Sequence, residues 1–195
     1  MIKNIIFDIG GVVFDDKNNN LINKFNITKE KATEITTIAF TDNFIDCMLG
    51  KVSVENYIEK MKLKYPDIKE ELEYLLDPKY YYETFPLKEE IYEKIINLYN
   101  EGYNLYILSN NTEASFKYVS SKINLNYFKG IVSSFTEHII KPNIEIYDLI
   151  LKRYNLNKEE TIFFDDSKTN VSAANSIGLR SVLFTTLEDI EKSLD

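Results

Sequence analysis

Four stretches of the sequence end an apolar run, or follow one, with side chains that could do chemistry. "FDIGGVV" carries Ile5-Ile6-Phe7 into Asp8 and two glycines. "LYILSNN" ends on Ser109, Asn110 and Asn111, and "FFDDS" on the pair Asp165-Asp166. "KPN" puts Lys141 between a further apolar run and the helix-period stretch behind it. Two or three carboxylates without His or Cys suit a hard cation, with Mg²⁺ favoured over zinc. A hydroxyl, backbone N–H groups and an ammonium suit a phosphate. Singly, each residue has a plainer reading: Asp8 as a turn or cap acid, Ser109 as the start of a helix cap in "SNNTEAS", Lys141 as a solvated charge, and Asp165-Asp166 as turn formers. Together they mean more, because in an open α/β sheet everything beyond the carboxyl ends of the strands faces one crevice.

The elements that must position them are legible. Apolar runs at Asn4–Asp8, Asn104–Ser109, Gly130–Ser133, Thr161–Asp165 and Arg180–Phe184 are short and nearly continuous in apolar character, which is how strands covered on both faces of a parallel sheet read. Between them lie helix-period stretches. "PLKEEIYEKIINLYNEG" has Pro86 near its start, Gly102 past its end and Ile91, Ile95, Ile96 and Leu98 along one side; "TEASFKYVSSKI", "NIEIYDLILKRYNL" and "KTNVSAANSIG" follow the same pattern. Strands alternating with helices of this length predict a doubly wound, three-layer Rossmann-like α/β fold with a parallel sheet.

Residues 15–85 break the rhythm. They hold helical stretches ("TKEKATEITTIAF", "SVENYIEKMKLKY", "IKEELEYLL") and no convincing strand, and the block is too long for a loop in a compact domain. It reads as a helical subdomain inserted after the first strand, leaving residues 1–14 and 86–195 as the core. "KYYYETF" reads as a packed stretch near a hinge.

Composition narrows the function classes. A net charge of -8 over 195 residues, with no Lys/Arg block, argues against nucleic acid or an anionic membrane as partner. Cys47 is the only cysteine, which excludes a disulfide framework and a thiolate zinc site. No apolar run approaches the roughly 18 residues of a membrane span, and the first residues do not read as a signal peptide. The expected compartment is a reducing cytoplasm; oligomeric state is open.

The four stretches, in this order, resemble the motifs of the haloacid dehalogenase-like hydrolase superfamily. "FDIGGVV" is similar to its first motif, "LYILSNN" to its second, "KPNIEIY" to its third and "FFDDSKTNVSAANSIG" to its fourth. The resemblance covers residues 1–14 and about 86–186, and the insertion stands where the first class of helical cap stands. Within the superfamily the first motif most resembles Asp-x-Gly sugar phosphatases, such as the α-glucose-1-phosphate phosphatases. It implies that Asp8 attacks phosphorus and forms an aspartyl-phosphate. It also implies that Mg²⁺ is held by Asp8, the Gly10 carbonyl and Asp166, with Asp165 acting through a metal-bound water. Ser109 and Lys141 would hold the phosphoryl oxygens, aided by Asn110, Asn111 and the backbone. Asn170 would take the place of the carboxylate that often orients the lysine, and His138 is a loop residue, not a base. The substrate would be a small phosphorylated metabolite, with a sugar phosphate the first expectation.

The chain departs from the pattern at Gly10, where most phosphatases of the superfamily carry the Asp that protonates the leaving alcohol. General acid–base catalysis contributes roughly 10²–10⁴-fold, about 3–5 kcal/mol of barrier. Activity survives that loss if the leaving group is good, as in an anomeric or acyl phosphate; Asp165, Asp15 or Asp16 could help activate water. Three readings compete: a Mg²⁺-dependent phosphatase; another enzyme of the superfamily; and a catalytically weak relative binding a phosphorylated ligand or a protein. A dehalogenase is disfavoured by the Asp165-Asp166 pair, and a phosphomutase by Gly10.

Overall fold

The computed structural model describes residues 1–15 and 19–194; Asp16, one of the residues weighed for water activation, lies outside them. Five strands form one parallel sheet in the order β3-β2-β1-β4-β5: β1 (Asn4–Phe7), β2 (Asn104–Ser109), β3 (Phe128–Ser133), β4 (Thr161–Asp165) and β5 (Ser181–Leu183). The central strand is buried throughout, and its alternate side chains feed two cores. Ile5 and Phe7 join Ile91, Ile95 and Leu98 on one face, while Ile6 joins Ile146, Tyr147 and Ile150 on the other. That alternation is why an unbroken apolar run makes a strand here, with helices on both sides. The fold is a three-layer, doubly wound α/β sandwich. Winding proceeds outward from β1 to β3 and resumes on the other side of β1 with β4, so the switch point lies at the end of β1.

Among the described residues, six α-helices precede the one that leads into β2 in the segment between β1 and β2: α1 (Asn19–Phe25), α2 (Lys29–Ala39), α3 (Ile45–Met48), α4 (Val54–Lys64), α5 (Lys69–Leu76) and α6 (Tyr81–Thr84). Thr28 and Ser53 cap α2 and α4 by accepting from the backbone N–H three residues on. The six bury a core of their own, built on Leu21, Ile35, Tyr57, Met61, Leu72 and Leu76. "KYYYETF" packs: Tyr81 is buried, and Phe85 stacks on Phe14 at 5.1 Å. The chain leaves and rejoins the sheet side by side, with Asp15 N donating to Pro86 O and Lys88 N to Val13 O.

The remaining helices flank the sheet: α7 (Glu89–Asn100), α8 (Glu113–Lys122), α9 (Ser134–Glu137), α10 (Ile144–Arg153), α11 (Lys168–Ser176) and α12 (Leu187–Leu194). At the β3 edge, Tyr154 lies across Gly130, its hydroxyl accepting from Ile131 N and donating to Ile131 O. A Cβ at Gly130 would overlap the Tyr154 ring. Gly130→Ala should therefore cost about 1–3 kcal/mol of stability in urea unfolding, with most of the loss removed in a Tyr154→Ala background. A loss unchanged in that background would refute the packing account.

Candidate active site

The turn after β1 is built to present Asp8. Its N–H donates to Phe164 O, which holds Asp8 in register beside β4 one residue beyond the strand. The chain then doubles back, Val13 N and Phe14 N both donating to Ile9 O. Gly11 sits in this turn at φ +72, and a Cβ there would fall within the Asp166 carboxylate. Two requirements, a left-handed backbone and close approach of an acid, therefore meet at Gly11. Lys88 Nζ donates to the Gly11 carbonyl from the start of α7 and lies over the Phe184 ring.

Asp8, Lys141 and Asp165 form the centre. The Lys141 ammonium lies 2.8 Å from Asp8 Oδ2 and 2.6 Å from Asp165 Oδ2, and donates to Leu108 O at 3.0 Å. Its three donors are thus engaged by groups in or just beyond β1, β2 and β4, and its side chain is fully buried. The backbone of Lys141 is fixed as firmly: Lys141 N donates to Asn110 Oδ1 and Asn110 Nδ2 donates to Lys141 O. Asp165 accepts in addition from Ser167 N and, on both oxygens, from Asn170 Nδ2. Tyr147 supports Asn170 from below, its hydroxyl donating to Asn170 O.

Electrostatics follow from this burial. Asp8 is raised to about 7, first by desolvation and then by the charge of Asp165, with Lys141 and Ser109 drawing it back. Burial alone would lower Lys141, but the charges of Asp8 and Asp165 outweigh it and hold the ammonium above its ordinary value. One oxygen each from Asp8, Asp165 and Asp166 lies within 4.8 Å of the others. With all three ionised, Lys141 balances only one charge. An all-oxygen set with surplus negative charge fits a hard divalent cation.

Ser109 adds a second unmet demand. It ends β2 at 1% exposure, and its Oγ has no hydrogen-bond partner among the described residues, though it is near enough to Asp8 to lower its carboxyl. A buried hydroxyl left unsatisfied costs about 1–3 kcal/mol, so it calls for an acceptor brought in from outside. A phosphoryl oxygen is one.

The structure sorts the sequence-based site residues by position. Asp8, Ser109, Lys141, Asp165 and Asp166 converge, with Gly10 and Gly11 in the turn beneath. Asn110 comes in as a brace on the Lys141 backbone. Asn111 is turned toward β3, where its N–H donates to Ser134 Oγ and its Oδ1 accepts from Ser133. Asn170 reaches Asp165, so its hold on Lys141 passes through that carboxylate. His138 caps α9 at φ 57 with its ring on Leu49 O, as a loop residue. Sequence reading missed Lys88 and Tyr147. Nothing in the neighbours of Lys88 signals contact with a turn 77 positions away.

A family model for haloacid dehalogenase-like hydrolases matches residues 5–184. Over nearly its whole length the chain is similar to the D-ribitol-5-phosphate phosphatase of Bacteroides thetaiotaomicron, at 24% identity covering 93% of this chain and 91% of that protein. A shorter segment is 42% identical to the sesquiterpene phosphatase of Aspergillus oryzae, covering 27% of this chain. The chain spans less than a third of the first curated relatives it matches, 26% of that phosphatase and 18% of a drimenol cyclase among them. Among solved structures, a HAD family enzyme of B. thetaiotaomicron in complex with magnesium and inorganic phosphate superposes with a TM-score of 0.76 at 19% identity, each chain covered completely.

The buried charges set a stability test in EDTA. Lys141→Met leaves two carboxylates uncompensated and should cost about 3–5 kcal/mol in urea unfolding. Asp8→Asn should instead match or exceed the parent at pH 8. Because Asp8 rises from 3.8 unfolded to about 7 folded, its protonation adds stability that is complete below the unfolded value and is lost as pH rises through the folded one. The advantage of Asp8→Asn should therefore shrink steadily from pH 8 toward pH 4. An advantage independent of pH would contradict this electrostatic account.

Proposed function

We propose that this chain, which belongs to the haloacid dehalogenase-like hydrolases, is a Mg²⁺-dependent phosphatase of small phosphorylated metabolites that works through an aspartyl-phosphate on Asp8. The observation that carries the reading is a carboxylate braced by Lys141 beside a buried hydroxyl with no hydrogen-bond partner among the described residues. Two of the relatives are phosphatases, one of a polyol phosphate and one of sesquiterpenes, and a structural neighbour holds magnesium and phosphate.

Asp8, Asp166 and the Gly10 carbonyl would hold Mg²⁺, with Asp165 behind them. The ion, when bound, offsets charge on the phosphoryl group and draws the Asp8 carboxyl down into its ionised, nucleophilic form. Everything else falls to the chain. The ionised Asp8 carboxylate attacks phosphorus, and the ester oxygen leaves with the electron pair of the broken P–O bond. Ser109 Oγ donates to a phosphoryl oxygen, and Lys141 balances the charge that develops. Water then attacks the phosphorus of the aspartyl-phosphate, which releases orthophosphate and restores the carboxylate. Residues 15–85 would serve as a cap over the crevice and residues 1–14 and 86–195 as the core, with substrate choice residing in the cap.

One observation favours a second reading, a phosphate-binding relative of low activity: Gly10 supplies no acid. Assays separate the two. With Mg²⁺ the chain should hydrolyse acetyl phosphate; EDTA should abolish turnover, and Asp8→Asn should lower it by a factor on the order of 10³ or more. Turnover that survives both changes would exclude the Asp8 mechanism, and no turnover in any condition would favour the binding reading. Gly10→Asp should raise rates for poor leaving groups by up to about 10²-fold and hardly affect good ones. Equal gains for both would mean the missing acid is not what limits the enzyme.

A further inference from the structure

A cavity of about 420 Å³ opens beside the phosphoryl site, within the range of roughly 300–1,000 Å³ typical of small-ligand pockets. The core side contributes Gly10, Asn110, Asn111 and Thr112, which directly follow the Asp8 turn start and Ser109. The insertion contributes Leu21, Phe40, Phe44, Met48 and Leu75, with Phe85 at the return crossing. Among the described residues, no Asp, Glu, Lys, Arg or His lines it. A second phosphate, a carboxylate or an ammonium on the substrate would find no counter-charge among the described lining residues.

Each polar side chain of the lining already makes at least one hydrogen bond within the fold. Asn20 donates its amide to Glu83 O, and Tyr81 its hydroxyl to Leu76 O. Thr36 and Thr84 donate to helix carbonyls four residues back. Thr112 and Ser115 bond one another, and Asn110 is committed to the Lys141 backbone. A polyol is recognised by several donors and acceptors left open toward the cavity, and sites built that way reject ligands lacking the matching hydroxyls. This wall offers mainly apolar surface, rich in aromatic rings.

Among the described residues the same wall contains no carboxylic acid or imidazole, at Gly10 or elsewhere, and its one phenol, Tyr81, donates to Leu76 O. Resting on the phosphatase reading above, we propose that the substrate is a monophosphate whose leaving group is uncharged, largely apolar and stable as an anion: an aryl phosphate or a long-chain acyl phosphate. The bond between phosphorus and the bridging oxygen breaks as the Asp8–phosphorus bond forms. The bridging oxygen keeps the electron pair and departs as a phenolate or carboxylate, needing no proton from residue 10. Apolar burial in the cavity holds the leaving group, and its weak basicity replaces the absent acid.

The test crosses the two properties. With Mg²⁺, kcat/KM is measured for acetyl phosphate, 1-naphthyl phosphate, octanoyl phosphate, octyl phosphate and glucose 1-phosphate. Naphthyl or octanoyl phosphate should exceed glucose 1-phosphate by at least about tenfold, and the better of the two identifies the source of the leaving group. Octyl phosphate, apolar but with a strongly basic leaving oxygen, should inhibit competitively and turn over at least about 100-fold more slowly. Phe40→Ala, at a ring 47% exposed and so of small consequence for folding, should lower the naphthyl-to-acetyl ratio of kcat/KM about five- to tenfold. Glucose 1-phosphate matching the naphthyl ester, or octyl phosphate matching it, would overturn the proposal. Should acetyl phosphate itself not be hydrolysed, the phosphatase reading fails separately. Calorimetric titration of the Asp8→Asn protein then decides the cavity's chemistry: tighter binding of octyl phosphate than of glucose 1-phosphate, with a negative heat-capacity change, supports an apolar ligand, and the reverse order overturns it.

Discussion

The Lys141 ammonium lies between Asp8 and Asp165 with no access to solvent, and burying three charges together is costly unless each is paired. Much of the surrounding structure follows from meeting that condition. The third ammonium donor ends on Leu108 O, the Lys141 backbone is pinned by the Asn110 amide, and Asp165 is held by Ser167 N and Asn170. The pairing still falls short by charge. Asp8 remains raised to about 7, with desolvation as the first cause, and Asp166 stands near both other acids. A site that is tightly braced yet electrostatically incomplete is suited to receiving a cation and an anion together.

The sheet makes this possible by bringing distant segments to one edge. β1, β2 and β4 are neighbours, so Asp8, Ser109 and Asp165 emerge side by side although up to 157 residues separate the first from the last. Registers Phe7↔Ile107 and Phe7↔Phe164 align the three exits. Gly11 then turns the chain away with φ +72 and leaves the space that Asp166 fills. The insertion departs from that turn, and so the same few residues govern both the chemistry and the wall of the cavity.

The fold was legible because its strands are continuous apolar runs, buried on both faces, that end on acids and hydroxyls. Each expected strand edge lies within two residues of the observed one. What could not be read was of another kind. Asn110 and Asn111 are adjacent and chemically alike, but one braces Lys141 and the other points to β3; only the path of the chain after Ser109 separates them. Lys88 meets Gly11 because the two crossings of the insertion run side by side, a long-range fact without local signature. The cavity was equally hidden. Its apolar side chains also read as ordinary helix-core residues, and whether Asn20 or Thr84 is free to bind a hydroxyl depends on carbonyls supplied by the fold.

Gly10 acquires a consistent meaning from these parts. In the proposed reading, with Asp8 as the nucleophile beside Lys141 and a cavity without charged side chains among the described residues, the absence of an acid at residue 10 points to the leaving group. All of this depends on Asp8 being the atom that takes the phosphoryl group. The most direct measurement is a rapid acid quench of the Mg²⁺-loaded protein with ³²P-labelled acetyl phosphate, followed by peptide mapping. Label should appear on the peptide bearing Asp8, be released by hydroxylamine as an acyl phosphate is, and vanish in Asp8→Asn. Label on another residue, or single-turnover phosphate release with no labelled protein at any time, would contradict it.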